Sequence, residues 1–128
     1  MDLLLDTCAF LWIISGDSCI SETARRAYMD PENKVFLSSI CACEIAVKCG
    51  LGRLALPVPA DVFVPEQRDR HGISPLPLQE DAALQLPRLP ALHRDPFDRM
   101  LICQSIAHGM AILTPDERIR QYPVWRLW

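Results

Sequence analysis

The sequence contains no C-x-x-C pair, although it holds six cysteines: Cys8, Cys19, Cys41, Cys43, Cys49 and Cys103. That absence removes the usual zinc and thiol-redox motifs. Cys41 and Cys43 lie two apart on an expected helix, so they do not share a face. The thiols are expected to be reduced and buried as small hydrophobes in a cytoplasmic protein. The chain opens without a basic segment or a signal-type cleavage site, which carries the same expectation. No apolar run reaches the ~18–20 residues of a membrane span. An excess of positive charge is also missing: 13 Lys and Arg against 16 Asp and Glu give a net charge of −3. Any nucleic-acid binding would therefore need a local basic patch. The three histidines (His71, His93, His108) show no metal-ligand spacing, and there is no repeat or low-complexity tract.

Half of the 128 residues are hydrophobic and 23% are charged. That is enough for a core and argues against global disorder. The length predicts one domain, residues 1–128. The eleven prolines punctuate the chain between elements. Strands are expected at Asp2–Asp6, Lys34–Leu37, Met110–Leu113 and Val124–Leu127, with a short edge strand at Ile73–Leu78. Helices are expected at Ala9–Ser15, from Ser21 to Asp30-Pro31, from Ser38 or Ser39 through Cys49, and at Ala60–Arg70. A further helix covers Gln79–Leu86. Asp95-Pro96 starts a helix that runs to His108, with Asp as cap and Pro at the first helical position. Thr114 is expected to cap another helix, with Glu117 closing a capping box. This alternation predicts an α/β fold: a mostly parallel sheet of four or five strands, covered on both faces.

Four acids stand at or near the boundaries of apolar segments: Asp6, Glu44, Asp98 and Asp116. Each has an ordinary reading. Asp6 can cap the helix that follows it. Glu44 can pair with Lys48 at i+4. Asp98 and Asp116 can complement helix dipoles. Glu44 is the hardest to dismiss, because it interrupts the apolar run Ile40–Val47 and a buried carboxylate needs a partner. In a parallel sheet the strand ends share one edge, where open α/β folds place their chemistry. Carboxylates gathered there either raise their pKa values or hold a hard cation. A divalent ion so held suits phosphoryl chemistry. A phosphoacceptor receiver would need a lysine near the last strand, and only Lys34 and Lys48 are present. A haloacid-dehalogenase-like phosphatase would need an acid at position 8, which is Cys8.

The ordered set Leu3-Leu4-Leu5-Asp6-Thr7, Cys43-Glu44-Ile45-Ala46, His93-Arg94-Asp95-Pro96-Phe97-Asp98-Arg99 and Leu113-Thr114-Pro115-Asp116 resembles the PIN-domain family. Within that family it is most similar to the VapC-like ribonuclease toxins of type II toxin–antitoxin pairs. The resemblance implies a three-layer α/β/α fold whose acids hold one or two Mg²⁺ or Mn²⁺ ions, with metal-activated water cleaving RNA. Asp6, Glu44 and Asp98 match the core acids, and Asp116 matches a more variable fourth. Asp95 would cap its helix and support the site from behind. Thr7 and Thr114 would offer hydroxyls to the acids. Lys48, Arg53, Arg94 and Arg99 are the cations able to meet phosphates. The implied partners are RNA, a cognate antitoxin and a second copy of the chain, with no membrane.

Two positions depart from the pattern. Cys8 stands where relatives often carry His, and Cys43 where they often carry Trp. A thiol at Cys8, beside the metal position, would be open to oxidation. These departures keep a PIN-like binding module of weak or lost catalytic activity as an alternative. A small-molecule phosphoesterase is another.

Overall fold

The computed structural model describes residues 1–128. Five strands form one sheet: β1 (Asp2–Leu5), β2 (Lys34–Ser38), β3 (Ser74–Leu76), β4 (Ala111–Leu113) and β5 (Trp125–Leu127). Their order is β3-β2-β1-β4-β5, and every pairing is parallel. The helices are α1 (Thr7–Ser15), α2 (Glu22–Met29), α3 (Ser39–Gly50), α4 (Ala60–Arg70), α5 (Glu80–Ala83) and α6 (Pro96–His108). The architecture is the expected three-layer α/β/α arrangement, and the sheet is wholly parallel.

β1 is central because all three of its leucines are fully buried. A strand covered on both faces reads as a continuous apolar run rather than an alternation. β4 shows the two faces separately. Ala111 and Leu113 pack into the main core, while Ile112, between them, packs with Ile102, Ile119 and Tyr122 in a second cluster. Successive side chains of a strand point to opposite faces, so both faces are closed.

The chain leaves β1 towards β2 and β3 on one side, and later adds β4 and β5 on the other. The crevice between the carboxyl ends of β1 and β4 is therefore the topological switch point, where ligands of open α/β sheets bind. Asp6 follows β1 there, and Thr114 follows β4.

Several boundaries differ from expectation. α1 begins at Thr7 because Asp6 caps it, its Oδ1 accepting from the Ala9 amide at 2.7 Å. α3 runs one residue past Cys49 to Gly50, and the positive φ falls at Gly52. Gln79–Leu86 divides into α5 and a 3₁₀ turn at Leu86–Arg88. Met110 precedes its strand, held by its amide on the Ser105 carbonyl. The last helix is a 3₁₀ segment, Glu117–Gln121, and its cap is Asp116 rather than Thr114. Thr114 is fully buried and directs its hydroxyl to Asp6 instead. All six cysteines are free as expected, but only Cys41 and Cys103 are buried; Cys19 and Cys43 are exposed.

Candidate active site

A cleft of about 610 Å³ opens at the carboxyl edge of the sheet. Only three of its fourteen lining residues are hydrophobic, so it suits a charged ligand better than an apolar one. Asp6, Glu44, Asp95, Asp98, Asp116 and Glu117 supply carboxylates, against Lys48, Arg53 and Arg118. The four acids singled out in the sequence thus meet in one place.

Local structure explains how each arrives. Asp6 is turned inward by capping α1, and its second oxygen accepts from the Thr114 hydroxyl. Glu44 lies on α3, which Ser38 caps through Ile40. The Ser38 hydroxyl also reaches Gln104 on α6, and Gln104 in turn donates to the Pro77 carbonyl at 3.3 Å. This fully buried amide ties α3, α6 and the end of β3 together. Glu44 accepts from Thr7 at 2.6 Å and pairs with Lys48 at 2.8 Å. The ordinary reading of Glu44 as a Lys48 partner therefore coexists with its place in the cleft. Asp95 caps α6, accepting from Phe97 and Asp98, and so fixes the first turn that carries Asp98.

The electrostatics follow from crowding and burial. Burial pushes the Asp6 carboxyl up to about 6, against the hydrogen bonds from Thr114 and Ala9, with Glu44 and Asp116 adding repulsion. Asp98 is also raised, first by burial and then by Asp95. Asp116 behaves oppositely. Burial would raise it, but hydrogen bonds from Arg118 and His93 outweigh that and hold it well below the usual carboxylate range. Burial, followed by the charge on Asp6, pushes the Cys8 thiol up to about 11. A thiol held protonated is a poor nucleophile, which weighs against oxidation of Cys8 while the neighbouring acids carry their charge.

The cations divide. Lys48 and Arg53 line the cleft. Arg94 is exposed and is not part of the lining. Arg99 does not face the cleft either. Its guanidinium donates to the carbonyls of Pro90 (3.0 Å), His93 (3.4 Å) and Leu86 (3.3 Å), which fastens the loop before α6. It was expected to be able to meet phosphates; in the fold its guanidinium is occupied by neighbouring carbonyls.

Two residues escaped the sequence reading. Arg118 lines the cleft and forks onto Asp116, with Nε at 3.0 Å and Nη2 at 2.9 Å from its oxygens. His93 is buried and places Nε2 2.9 Å from Asp116 and 3.1 Å from Asp98. The signal for His93 was its position five residues before Asp98; for Arg118 it was its position two residues after Asp116.

The carboxylates fit a divalent metal. They are hard oxygen donors, two of them are raised by burial and mutual repulsion, and the cleft cations do not match them in number. Asp98 and Asp116 also place one carboxylate oxygen each within 4.8 Å of one another, with His93 Nε2 beside both.

Comparison with known proteins agrees with this geometry. The PIN domain family model matches residues 3–124. Ribonuclease VapC16 of Mycobacterium tuberculosis is 40% identical over 57 residues, a stretch covering 44% of this chain and 40% of that relative. Among solved structures, DNA-bound VapBC from Salmonella typhimurium superposes with a TM-score of 0.70 at 20% identity, covering 98% of this chain and 96% of that one. VapBC2 from Rickettsia felis, bound to a promoter DNA fragment, gives 0.66 at 13% identity, covering 98% and 97%. A toxin–antitoxin complex from Klebsiella pneumoniae gives 0.58 at 19%, covering 94% and 92%. With a parallel five-stranded sheet, an acidic cleft at its switch point and a family match over nearly its whole length, the chain belongs to the PIN-domain family.

Proposed function

We propose that this chain is a metal-dependent endoribonuclease, the toxin of a type II toxin–antitoxin pair. The observation that carries the reading is the shared cleft of Asp6, Glu44, Asp98 and Asp116. Those carboxylates would hold one or two Mg²⁺ or Mn²⁺ ions. When bound, such an ion supplies charge stabilisation and an acidified water for phosphodiester hydrolysis. The protein's own residues do the positioning. Thr7 fixes Glu44, Thr114 fixes Asp6, and the capping contacts of Asp95 fix Asp98. Lys48, Arg53 and Arg118 border the acids and receive the RNA phosphates, while Arg94 at the surface extends the basic contacts.

The name of the mycobacterial relative supports ribonuclease activity, and the toxin–antitoxin neighbour supports a protein partner. The partner is a cognate antitoxin whose segment covers the acidic cleft, and the toxin acts as a cytoplasmic homodimer.

The test incubates purified protein with a structured RNA mixture, in Mn²⁺ or in EDTA, beside Asp6→Asn. Cleavage that requires both the metal and Asp6 is the expected result. Metal binding without cleavage of any RNA identifies a binding module instead. Turnover of a small phosphoester with RNA left intact identifies a phosphoesterase.

A further inference from the structure

Both ring nitrogens of His93 are already engaged. The Asp95 backbone amide lies 3.1 Å from Nδ1. A backbone N–H can only donate, so Nδ1 must present its lone pair. The neutral ring then carries its proton on Nε2. That N–H hydrogen-bonds Asp116 Oδ2 at 2.9 Å and faces Asp98 Oδ2 at 3.1 Å. A metal-binding imidazole instead turns a bare nitrogen to the ion and its other N–H to an acceptor. His93 is arranged the opposite way round, so its proximity to the two acids is not ligation.

The loop that carries His93 is held as firmly as the ring. The Tyr122 hydroxyl accepts from the amides of His93 (2.9 Å) and Leu92 (3.2 Å) and donates to the Pro90 carbonyl at 2.8 Å. Arg99 fastens the same stretch through its three carbonyl contacts. The His93 side chain is 1% exposed. Nothing in this scaffold leaves the ring free to turn.

We propose that His93 is a positioning residue: one buried N–H, fixed in its tautomer by the Asp95 amide, holds the carboxylates of Asp98 and Asp116 at the spacing a divalent ion requires. The inference rests on the metal-site reading above and adds that the ion is bound by oxygen alone. Asp98 and Asp116 come from different elements, and their facing oxygens lie within 4.8 Å, where two negative charges repel. A neutral donor between them offsets that repulsion without occupying the cleft.

The experiment measures Mn²⁺ affinity by calorimetry for the wild type, His93→Leu and His93→Gln, with melting in EDTA as the folding control. His93→Leu weakens affinity at least ~10-fold, the usual effect of losing a residue that orients ligands. His93→Gln, which keeps an N–H donor, recovers most of it. Equal affinity in a folded His93→Leu overturns the proposal. Should that variant not fold, ¹⁵N spectra of the wild-type ring decide. A proton on Nε2 both in EDTA and with saturating Mg²⁺ supports the proposal; its loss from Nε2 on adding Mg²⁺ makes His93 a ligand and overturns it. A wild type that binds no Mn²⁺ refutes the metal-site reading itself, whereas the spectrum in EDTA still reports the tautomer.

Discussion

Thr114 and Asp6 stand 108 positions apart, yet the threonine hydroxyl donates directly to the aspartate carboxylate. The contact closes the switch point between β1 and β4 over a carboxyl that burial has already raised. Asp6 is thus kept in a place its charged form disfavours.

The first prediction follows from that cost. The Asp6 carboxyl sits at about 6 in the fold against an ordinary 3.8. A raised group contributes stability that is full below its unfolded pKa and is lost as pH rises through the folded one. The metal-free protein should therefore melt at higher temperature at pH 5 than at pH 7, and the raised Asp98 adds in the same direction. Asp116 is lowered, so its contribution fades only in stronger acid. Asp6→Asn keeps the cap on α1 and removes the charge. In EDTA above pH 7 it should gain stability on the order of 3 kcal/mol and lose the response to added Mn²⁺. Melts across pH, with and without metal, check both parts.

Arg118 occupies the acid that an incoming cation would need. Asp116 accepts from the Arg118 amide, from Arg118 Nε and Nη2, and from His93. Its lone pairs are filled unless the exposed guanidinium swings away. Arg118→Ala should tighten Mn²⁺ binding several-fold and leave the melting temperature in EDTA almost unchanged. Titration calorimetry reads the first effect. If RNA phosphates take up the released arginine, KM for RNA rises in the same variant.

Arg99 should behave as structure rather than as a substrate contact. Arg99→Ala leaves the carbonyls of Leu86, Pro90 and His93 without their shared donor. Breaking such a partly buried, charge-assisted set costs about 1–3 kcal/mol. The denaturation midpoint should fall, while KM for RNA in the folded fraction stays near the wild-type value. A raised KM at unchanged stability would return Arg99 to the binding residues.

Thiol reactivity should sort by surroundings rather than by closeness to the acids. In the metal-free protein at pH 8, iodoacetamide should modify exposed Cys43 well before Cys8, whose thiol is pushed up to about 11. Cys41 and Cys103 should react only on unfolding. Peptide mapping by mass spectrometry gives the order. Cys8→Ser should keep RNA cleavage after peroxide no better than the wild type does.

The parts of the molecule legible in the sequence were those written as interruptions of a pattern. Asp6 ends a leucine run, Glu44 breaks an apolar helix, and Asp95-Pro96 is a helix start whose meaning hardly depends on context. What stayed hidden depends on the fold. Thr114 reads as a cap because it precedes Pro115-Asp116, but cap and acid-holder differ only in where the chain turns, and Asp116 takes the cap. His93 lies in a loop without periodicity, and its role exists only once residues 93, 98 and 116 meet. Gln104 is an ordinary helix residue until Ser38 and Pro77 arrive beside it. Arg99 offered a charge that suits phosphate, and only the fold shows the backbone carbonyls that hold it.

The order of the strands also sets a timetable for synthesis. β1 is translated ahead of the other four strands, but its neighbour β4 spans 111–113. Asp6 lacks its Thr114 contact, and Asp98 and Asp116 lack the strand edge beside them, until β4 has emerged from the ribosome. Contacts between such distant residues form slowly, because a long loop must close first. The acids of the cleft are therefore brought together late in synthesis, and any chemistry they perform waits on that closure.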